Sequence, residues 1–168
     1  MRELLIGCGK NRGKQFTVNG HSTWDDLTTL DVEATHKPDI LWDLNVLPYP
    51  FRSAEFDEIH AYEVLEHCGT QGDWRFFFSQ WAEFHRILKE GGFFVGSVPL
   101  PDSIWAWGDP SHTRVIPLVQ LQFLSQSFYE GVGETTSSDF RAHWNGNFQL
   151  VSAQVIPDRQ VFVLQKVP

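Results

Sequence analysis

A chain of 168 residues, 42% hydrophobic and 20% charged, has the make-up of an ordinary globular domain and can bury a core with no disulfide or metal to hold it. Seven Trp and fourteen Phe exclude the composition of a disordered chain. The 13 Lys and Arg against 21 Asp and Glu leave a formal net charge of −8, which disfavours the phosphate-gripping face that duplex nucleic acid requires.

Cys8 and Cys68 make no disulfide framework and suit a reducing, cytoplasmic setting. The apolar run before Gly7 is too short for a signal peptide or a membrane span. With no repeat and no low-complexity linker, residues 1–168 are expected to form one domain.

In chain order, Glu3–Ile6 reads as a buried strand that enters the glycine turn Gly7-Cys8-Gly9. Residues 10 to 27 are polar and carry no helical stripe before Trp24–Leu27. Thr28–Leu30 is strand-like and ends in Asp31, and Asp39–Trp42 is a short run followed by Asp43. Pro48 and Pro50 mark 44–56 as loop, and Asp57–Tyr62 reads as a fourth strand.

Trp74, Phe77, Phe78, Trp81, Phe84, His85 and Leu88 recur every three or four residues, which predicts an amphipathic helix. Asp73 or Thr70 would cap its start, and Gly91-Gly92 would end it. Phe93–Val98 is a fifth strand, and 99–116 a long loop with Trp105, Trp107 and Asp109-Pro110-Ser111-His112. Pro117 suits the first position of a helix bearing Leu118, Leu121, Leu124 and Phe128. Residues 131 to 146 read as polar loop. Phe148–Ile156 and Gln160–Val167, joined through Pro157-Asp158, read as an antiparallel hairpin.

Strands alternating with crossovers imply an α/β fold with a parallel sheet and a late antiparallel strand. Ligands of such sheets sit at the carboxyl ends of the strands. The residues that end strands therefore carry the functional information. Gly7 and Gly9 would let backbone approach a ligand closely. Asp31 can accept hydrogen bonds from a ribose diol, and Asp43 from an adenine amino group. Together they describe an adenosine pocket. The dinucleotide fingerprint is not met: Arg12 stands where its third glycine belongs, and Gly13 comes one position late.

At this point the sequence resembles a known family. Leu4-Leu5-Ile6-Gly7-Cys8-Gly9 is similar to motif I of the class I S-adenosylmethionine-dependent methyltransferases. Leu47-Pro48-Tyr49-Pro50-Phe51, Phe56-Asp57-Glu58-Ile59 and Val64-Leu65-Glu66-His67 resemble the family's fourth-strand region. Arg86-Ile87-Leu88-Lys89-Glu90-Gly91-Gly92-Phe93-Phe94 resembles its approach to strand five.

The resemblance implies a three-layer sandwich around a mostly parallel seven-stranded sheet with an antiparallel C-terminal hairpin strand, and S-adenosylmethionine as cofactor. Carried over, Gly7, Cys8 and Gly9 form the turn at the methionine part, and Asp31 holds the ribose hydroxyls. Asp43 and Leu44 flank the adenine. Tyr62 and Glu63 line the methyl end. Two departures stand out. Segments 10–27 and 43–56 are short and weakly helical where the family has full helices. The sequence also opens directly on strand one, without the N-terminal helices that often cover the substrate. An open site, or one completed by a homodimer, is expected.

Methyl transfer from a sulfonium needs positioning above all, and a base only where the acceptor holds its proton tightly. Candidate bases are Glu63, Glu66, His67, Asp109 and His112, with His112 leading because its loop would overhang the methyl group. Glu63 and His67 would share a face if helical. Trp105 and Trp107 could wall the acceptor. His60, His67, Cys68 and His112 fit no tight zinc spacing, so no metal is expected.

Ala61-Tyr62-Glu63-Val64 stands where amine-methylating nucleic-acid enzymes of this fold carry Asp/Asn-Pro-Pro-aromatic, and neither cysteine follows a proline. A small-molecule or sugar-like acceptor, methylated on oxygen or nitrogen, is favoured over nucleic acid. The competing readings are a cofactor-binding or inactive interaction module of the same fold and a nicotinamide-dependent oxidoreductase.

Overall fold

The computed structural model describes residues 1–18 and 20–168. Seven strands form one sheet: β1 (Arg2–Ile6), β2 (Asp26–Asp31), β3 (Ile40–Leu41), β4 (Phe56–Tyr62), β5 (Leu88–Pro99), β6 (Phe148–Ile156) and β7 (Arg159–Lys166). Their spatial order is β3-β2-β1-β4-β5-β7-β6. All pairings from β3 to β5 are parallel, and β7 runs antiparallel to both its neighbours. This is the mostly parallel α/β sheet with a terminal hairpin that the strand pattern implies.

The order reverses between β1 and β4. Ile6 lies beside Leu30 on one side and Ala61 on the other. The carboxyl ends of β1, β2 and β4 therefore emerge together, which places Gly7, Asp31 and Glu63 at one edge of the sheet.

One face is closed by helix α1 (Trp74–Ile87). Asp73 caps it by accepting from the Phe76 N–H at 3.0 Å. Its buried stripe of Phe77, Phe78, Trp81 and Phe84 packs with Leu4, Ile6, Ile59, Phe94 and Phe162. The helix stops at Ile87, short of the expected glycine pair. Leu88 is already extended and fully buried, paired across the sheet with Phe56. Gly91 serves instead inside a register shift of β5, at φ 75°.

The loop after β5 holds a five-residue helix, α2 (Ile104–Gly108), where only loop was expected. The expected long helix from Pro117 is broken. Pro117 is the N-cap of α3 (Leu118–Leu121), and 3-10 turns follow at Gln122–Leu124 and Gln126–Gly131. The tighter turns drive Leu121, Leu124 and Tyr129 all into the core. Backbone carbonyls freed by the breaks are used: Tyr129 Oη donates to Phe123 O and Trp144 Nε1 to Leu124 O.

The opposite face is built differently. Segment 10–25 has no helical residue among those described. It lies over Leu5, Tyr62, Val95 and Val163 through Phe16, Val18 and Trp24. A buried polar cluster pins it. Lys14 Nζ donates to Glu3 Oε1 at 2.6 Å and to Glu58 Oε2 at 2.8 Å, with all three side chains 1% exposed or less. Burial opposes the charge on Lys14, but the two carboxylates outweigh it and hold its pKa above the ordinary value. The cluster continues along β4. His60 joins Glu58 at 2.8 Å and Tyr62 Oη at 2.6 Å, and Tyr62 Oη accepts from the Gln15 N–H at 3.3 Å. Both His60 ring nitrogens are satisfied when it is neutral, one donating to Glu58 and the other accepting from Tyr62 Oη, and burial depresses its pKa in that direction.

Lys14→Met should cost about 3–5 kcal/mol, because it strands two buried carboxylates. Urea denaturation measures this, and a loss below about 1 kcal/mol would mean the cluster is no more than a solvated pair. A second test uses His85, which packs between Trp144 and Phe148. Burial, aided by Lys166, pushes its pKa down to about 4 from 6.5. The unfolded chain takes up that proton first, so stability falls as pH drops from 6.5 towards 4. His85→Phe should flatten that limb of the stability profile; an unchanged limb would assign it to other groups.

Candidate functional site at the sheet switch point

At the edge where β1, β2 and β4 end lies a cavity of about 380 Å³, within the range of small-ligand sites. Gly7 and Gly9 form its floor. Asp31, Val32 and His36 line the side after β2, Trp42 and Asp43–Asn45 the side after β3, and Glu63, Val64, His67 and Cys68 the side after β4.

The floor requires glycine. Gly7 has φ 59°, and a Cβ there would sit 2.3 Å from Val64 Cγ2. Gly9 has φ 52° and open space around it. The turn is locked by Asp31, whose Oδ2 accepts from the Gly9 N–H at 2.8 Å and whose Oδ1 accepts from the Glu33 N–H at 2.8 Å. His36 Nδ1 lies 3.3 Å from Oδ2. Burial would raise the Asp31 pKa, but the two backbone N–H groups and His36 hold it below the ordinary value. A carboxylate has about four acceptor sites, so these contacts leave it able to accept from a ligand diol. Arg12 braces the rim by donating to the His36 carbonyl at 2.8 Å.

After β3, Asp43 Oδ1 accepts from the Asn45 N–H at 2.8 Å and sets a turn. Leu44 is buried behind it. After β4, Glu63 takes the left-handed region at φ 51°, a conformation that costs a non-glycine residue energy and that clusters at functional sites. Its N–H donates to Ser97 O at 2.9 Å, and its Oε1 accepts from Ser97 Oγ at 2.7 Å. Glu63 and His67 share no helical face, because only a 3-10 turn, Leu65–His67, lies here.

Behind His67 the loop 109–116 folds back. Thr113 and Arg114 donate their N–H groups to Glu66 O. This stacks the His67 and His112 rings edge to face, 4.7 Å apart. His112 Nε2 is 3.9 Å from Glu66 Oε1 and 3.9 Å from Asp109 Oδ2. Asp109 itself is tied to Ser111, which keeps its pKa low. Burial, with neighbouring carboxylates, lifts the Glu66 pKa to about 8.

Of the residues singled out in the sequence, Gly7, Gly9, Asp31, Asp43, Leu44, Glu63 and His67 meet at the cavity. Cys8 and Tyr62 do not. Both side chains belong to the cluster on the far face of the sheet, with Tyr62 held by His60. Strand alternation explains it: Tyr62 shares its face with Glu58 and His60, not with Ala61. His112 and Asp109 stand behind His67 and off the cavity wall. Trp105 and Trp107 are 56% and 71% exposed on α2, and Trp105 flanks a separate groove with Glu63 and Arg159. His36, Trp42 and Asn45 line the cavity without having been singled out. His36 sits five residues past Asp31 in a 3-10 turn, and no sequence pattern marks it. Of the four side chains weighed for metal, His60 and Cys68 lie apart from the His67–His112 pair. His60 is bound to Glu58, and the Cys68 thiol is turned to Val64 O.

No protein-family model matches the sequence, and a search of curated proteins gave no match. Solved structures do match in fold. A SAM-dependent methyltransferase from Archaeoglobus fulgidus superposes with a TM-score of 0.61 at 14% identity, over 98% of this chain and 86% of that one. The Burkholderia thailandensis 1,6-didemethyltoxoflavin-N1-methyltransferase, solved with bound S-adenosylhomocysteine, gives 0.60 at 17% identity, over 99% and 71%. The [4+2]-cyclase SpnF gives 0.56 at 13% identity, over 99% and 75%. The chain has the class I methyltransferase fold.

Gly7→Ala should destabilise the protein by about 2–4 kcal/mol, from left-handed strain plus the clash with Val64. Gly9→Ala, free of any clash, should cost only about 1–2 kcal/mol. Chemical denaturation of the two variants side by side checks this. Equal losses would mean that Val64 moves aside and the floor is not close-packed.

Proposed function

We propose that this chain, acting as one domain over 1–168, binds S-adenosylmethionine in the switch-point cavity and transfers its methyl group to an oxygen or nitrogen of a small-molecule or sugar-like acceptor. The observation that carries the reading is the Gly7–Gly9 turn, locked by an Asp31 carboxylate that still has acceptor capacity towards the cavity. A ribose diol is the ligand group that fits such a carboxylate. The adenine would lie towards Trp42, Asp43 and Leu44, and the methionine part over the glycines. The sulfonium methyl would then point to the Glu63–His67 side. The methyltransferases of the same fold support this assignment.

The chemistry asks little of the protein beyond alignment. An in-line displacement gains most from holding donor and acceptor in contact distance and excluding water. Glu63, fixed by Ser97, is placed to orient the sulfonium end. His67 is the imidazole on the wall and, with Glu63, the group placed to meet an acceptor. The net charge of −8 favours an uncharged or cationic acceptor over a polyphosphate.

A second reading keeps the cofactor and drops the methyl transfer. It is favoured by the [4+2]-cyclase that shares the fold, and by Ile104, Trp105 and Trp107 exposed together on α2, which would suit a protein partner. Formation of S-adenosylhomocysteine in the presence of a panel of hydroxyl and amine acceptors separates the two: product with any acceptor supports transfer, and binding with no product supports the module.

Asp31→Ala should weaken S-adenosylmethionine binding on the order of 10- to 100-fold, from loss of a charge-assisted hydrogen bond of about 1.5–3 kcal/mol. Unchanged affinity in a folded variant would remove Asp31 from the site.

A further inference from the structure

Glu66 is buried to 2% exposure, yet neither of its carboxylate oxygens has a hydrogen-bond partner. Buried carboxyl groups are paired, hydrogen-bonded, protonated or bound to a metal, because desolvating the charge without compensation is costly. The groups around it are the His67 and His112 imidazoles, the Arg114 guanidinium and the carboxylates of Glu63 and Asp109. His67 Nδ1 lies 3.2 Å from the Ser111 carbonyl. A carbonyl only accepts, so Nδ1 carries the proton and Nε2 presents its lone pair. That backbone tether is the outer-shell contact that orients metal-binding histidines. His112 Nε2 stands 3.9 Å from Glu66 Oε1, too far for a hydrogen bond. Two ligands of one cation, each about 2.0–2.2 Å from it, come to rest at roughly 3–4 Å from each other. One donor atom from each of Glu66, His67 and His112 lies within 4.8 Å of the others.

A second cluster makes the contrast. Glu3, Glu58 and His60 also bring three donors together, but there the Lys14 ammonium already supplies the positive charge. The Glu66 carboxylate has no such cation on its oxygens: Arg114 turns its guanidinium to Leu65 O and to Gln80 Oε1.

We propose that Glu66, His67 and His112 bind one first-row divalent transition-metal ion. Two imidazoles with a carboxylate suit Zn²⁺, Fe²⁺ or Mn²⁺, whereas Mg²⁺ and Ca²⁺ take oxygen ligands. His67 also lines the cofactor cavity, so the ion sits against it. There it would take an acceptor oxygen as a ligand and, as a Lewis acid, ease release of that oxygen's proton to water. That consequence rests on the methyl-transfer reading; the metal binding does not.

Chelator-stripped protein is titrated calorimetrically with ZnCl₂ and MnCl₂, and with MgCl₂ for comparison, in the absence of S-adenosylmethionine. One equivalent of Zn²⁺ should bind, with Mg²⁺ far weaker. Glu66→Gln and His112→Asn should each weaken Zn²⁺ by more than the roughly 100-fold that loss of an outer-shell partner can cost. His21→Asn, at an exposed site elsewhere, should change nothing. Zn²⁺ should also raise the melting temperature of the unaltered protein, reversibly with chelator, which decides the matter if a variant fails to fold. No Zn²⁺ binding, or binding that survives both substitutions, overturns the proposal. Because cofactor affinity is measured separately, loss of one result leaves the other standing.

Discussion

The Lys14 ammonium, buried between Glu3 and Glu58, is the interaction on which the rest of this small fold depends. An α/β sheet must cover both faces. Here α1 covers one with a stripe of aromatic rings, and an irregular segment covers the other. Such a segment has no ladder of its own to satisfy its backbone and no regular apolar face to bury. A single cation held by carboxylates from two adjacent strands, β1 and β4, fastens it to the sheet. Those are the strands between which the sheet order reverses, and the contact ties them together near their amino ends, on the face away from the cavity. The hydrogen-bonded chain through His60 and Tyr62 to Gln15 extends the hold along β4. A segment fixed in this way also keeps Arg12 in reach of the turn after β2, and Trp24 Nε1 in reach of Arg12 O.

Much of this architecture is legible in the residues. The strands end at Ile6, Asp31 and Tyr62, close to where apolar runs give way to glycine or acid, and α1 is plain from its three-and-four spacing. Local signals fail where tertiary contacts decide. Leu88 leaves the helix because Phe56 offers it a place in the sheet. The segment after Pro117 breaks into short turns because Leu121, Leu124 and Tyr129 are all wanted in the core. Tyr62 could have been placed correctly by counting alternation back from Glu58. The glycines and Asp31 were visible because a strand-end ligand site needs those residue types at those positions. The meeting of His67 with His112 was not visible, since it depends on two backbone hydrogen bonds from Thr113 and Arg114 to Glu66 O. Spacing along the chain holds no trace of them.

The site divides by charge and by rigidity. On the β2 side, Asp31 is held ionised by backbone N–H groups and is prepared for a diol. On the β4 side, Glu63 is held in a left-handed turn by Ser97, and behind it Glu66 is buried without a partner among histidines. One half is arranged to grip a nucleoside, and the other is left with unspent capacity for an ion or an acceptor. The division matches a reaction in which the cofactor supplies the reactive group and the protein supplies alignment.

The proposed function requires that the switch-point cavity take an adenosyl sulfonium. Calorimetric titration of the purified protein with S-adenosylmethionine and with S-adenosylhomocysteine, against NAD as control, tests this most directly. Micromolar binding of the first two at one equivalent, and none of NAD, is expected. Binding of NAD in their place, or of none of the three, would contradict it.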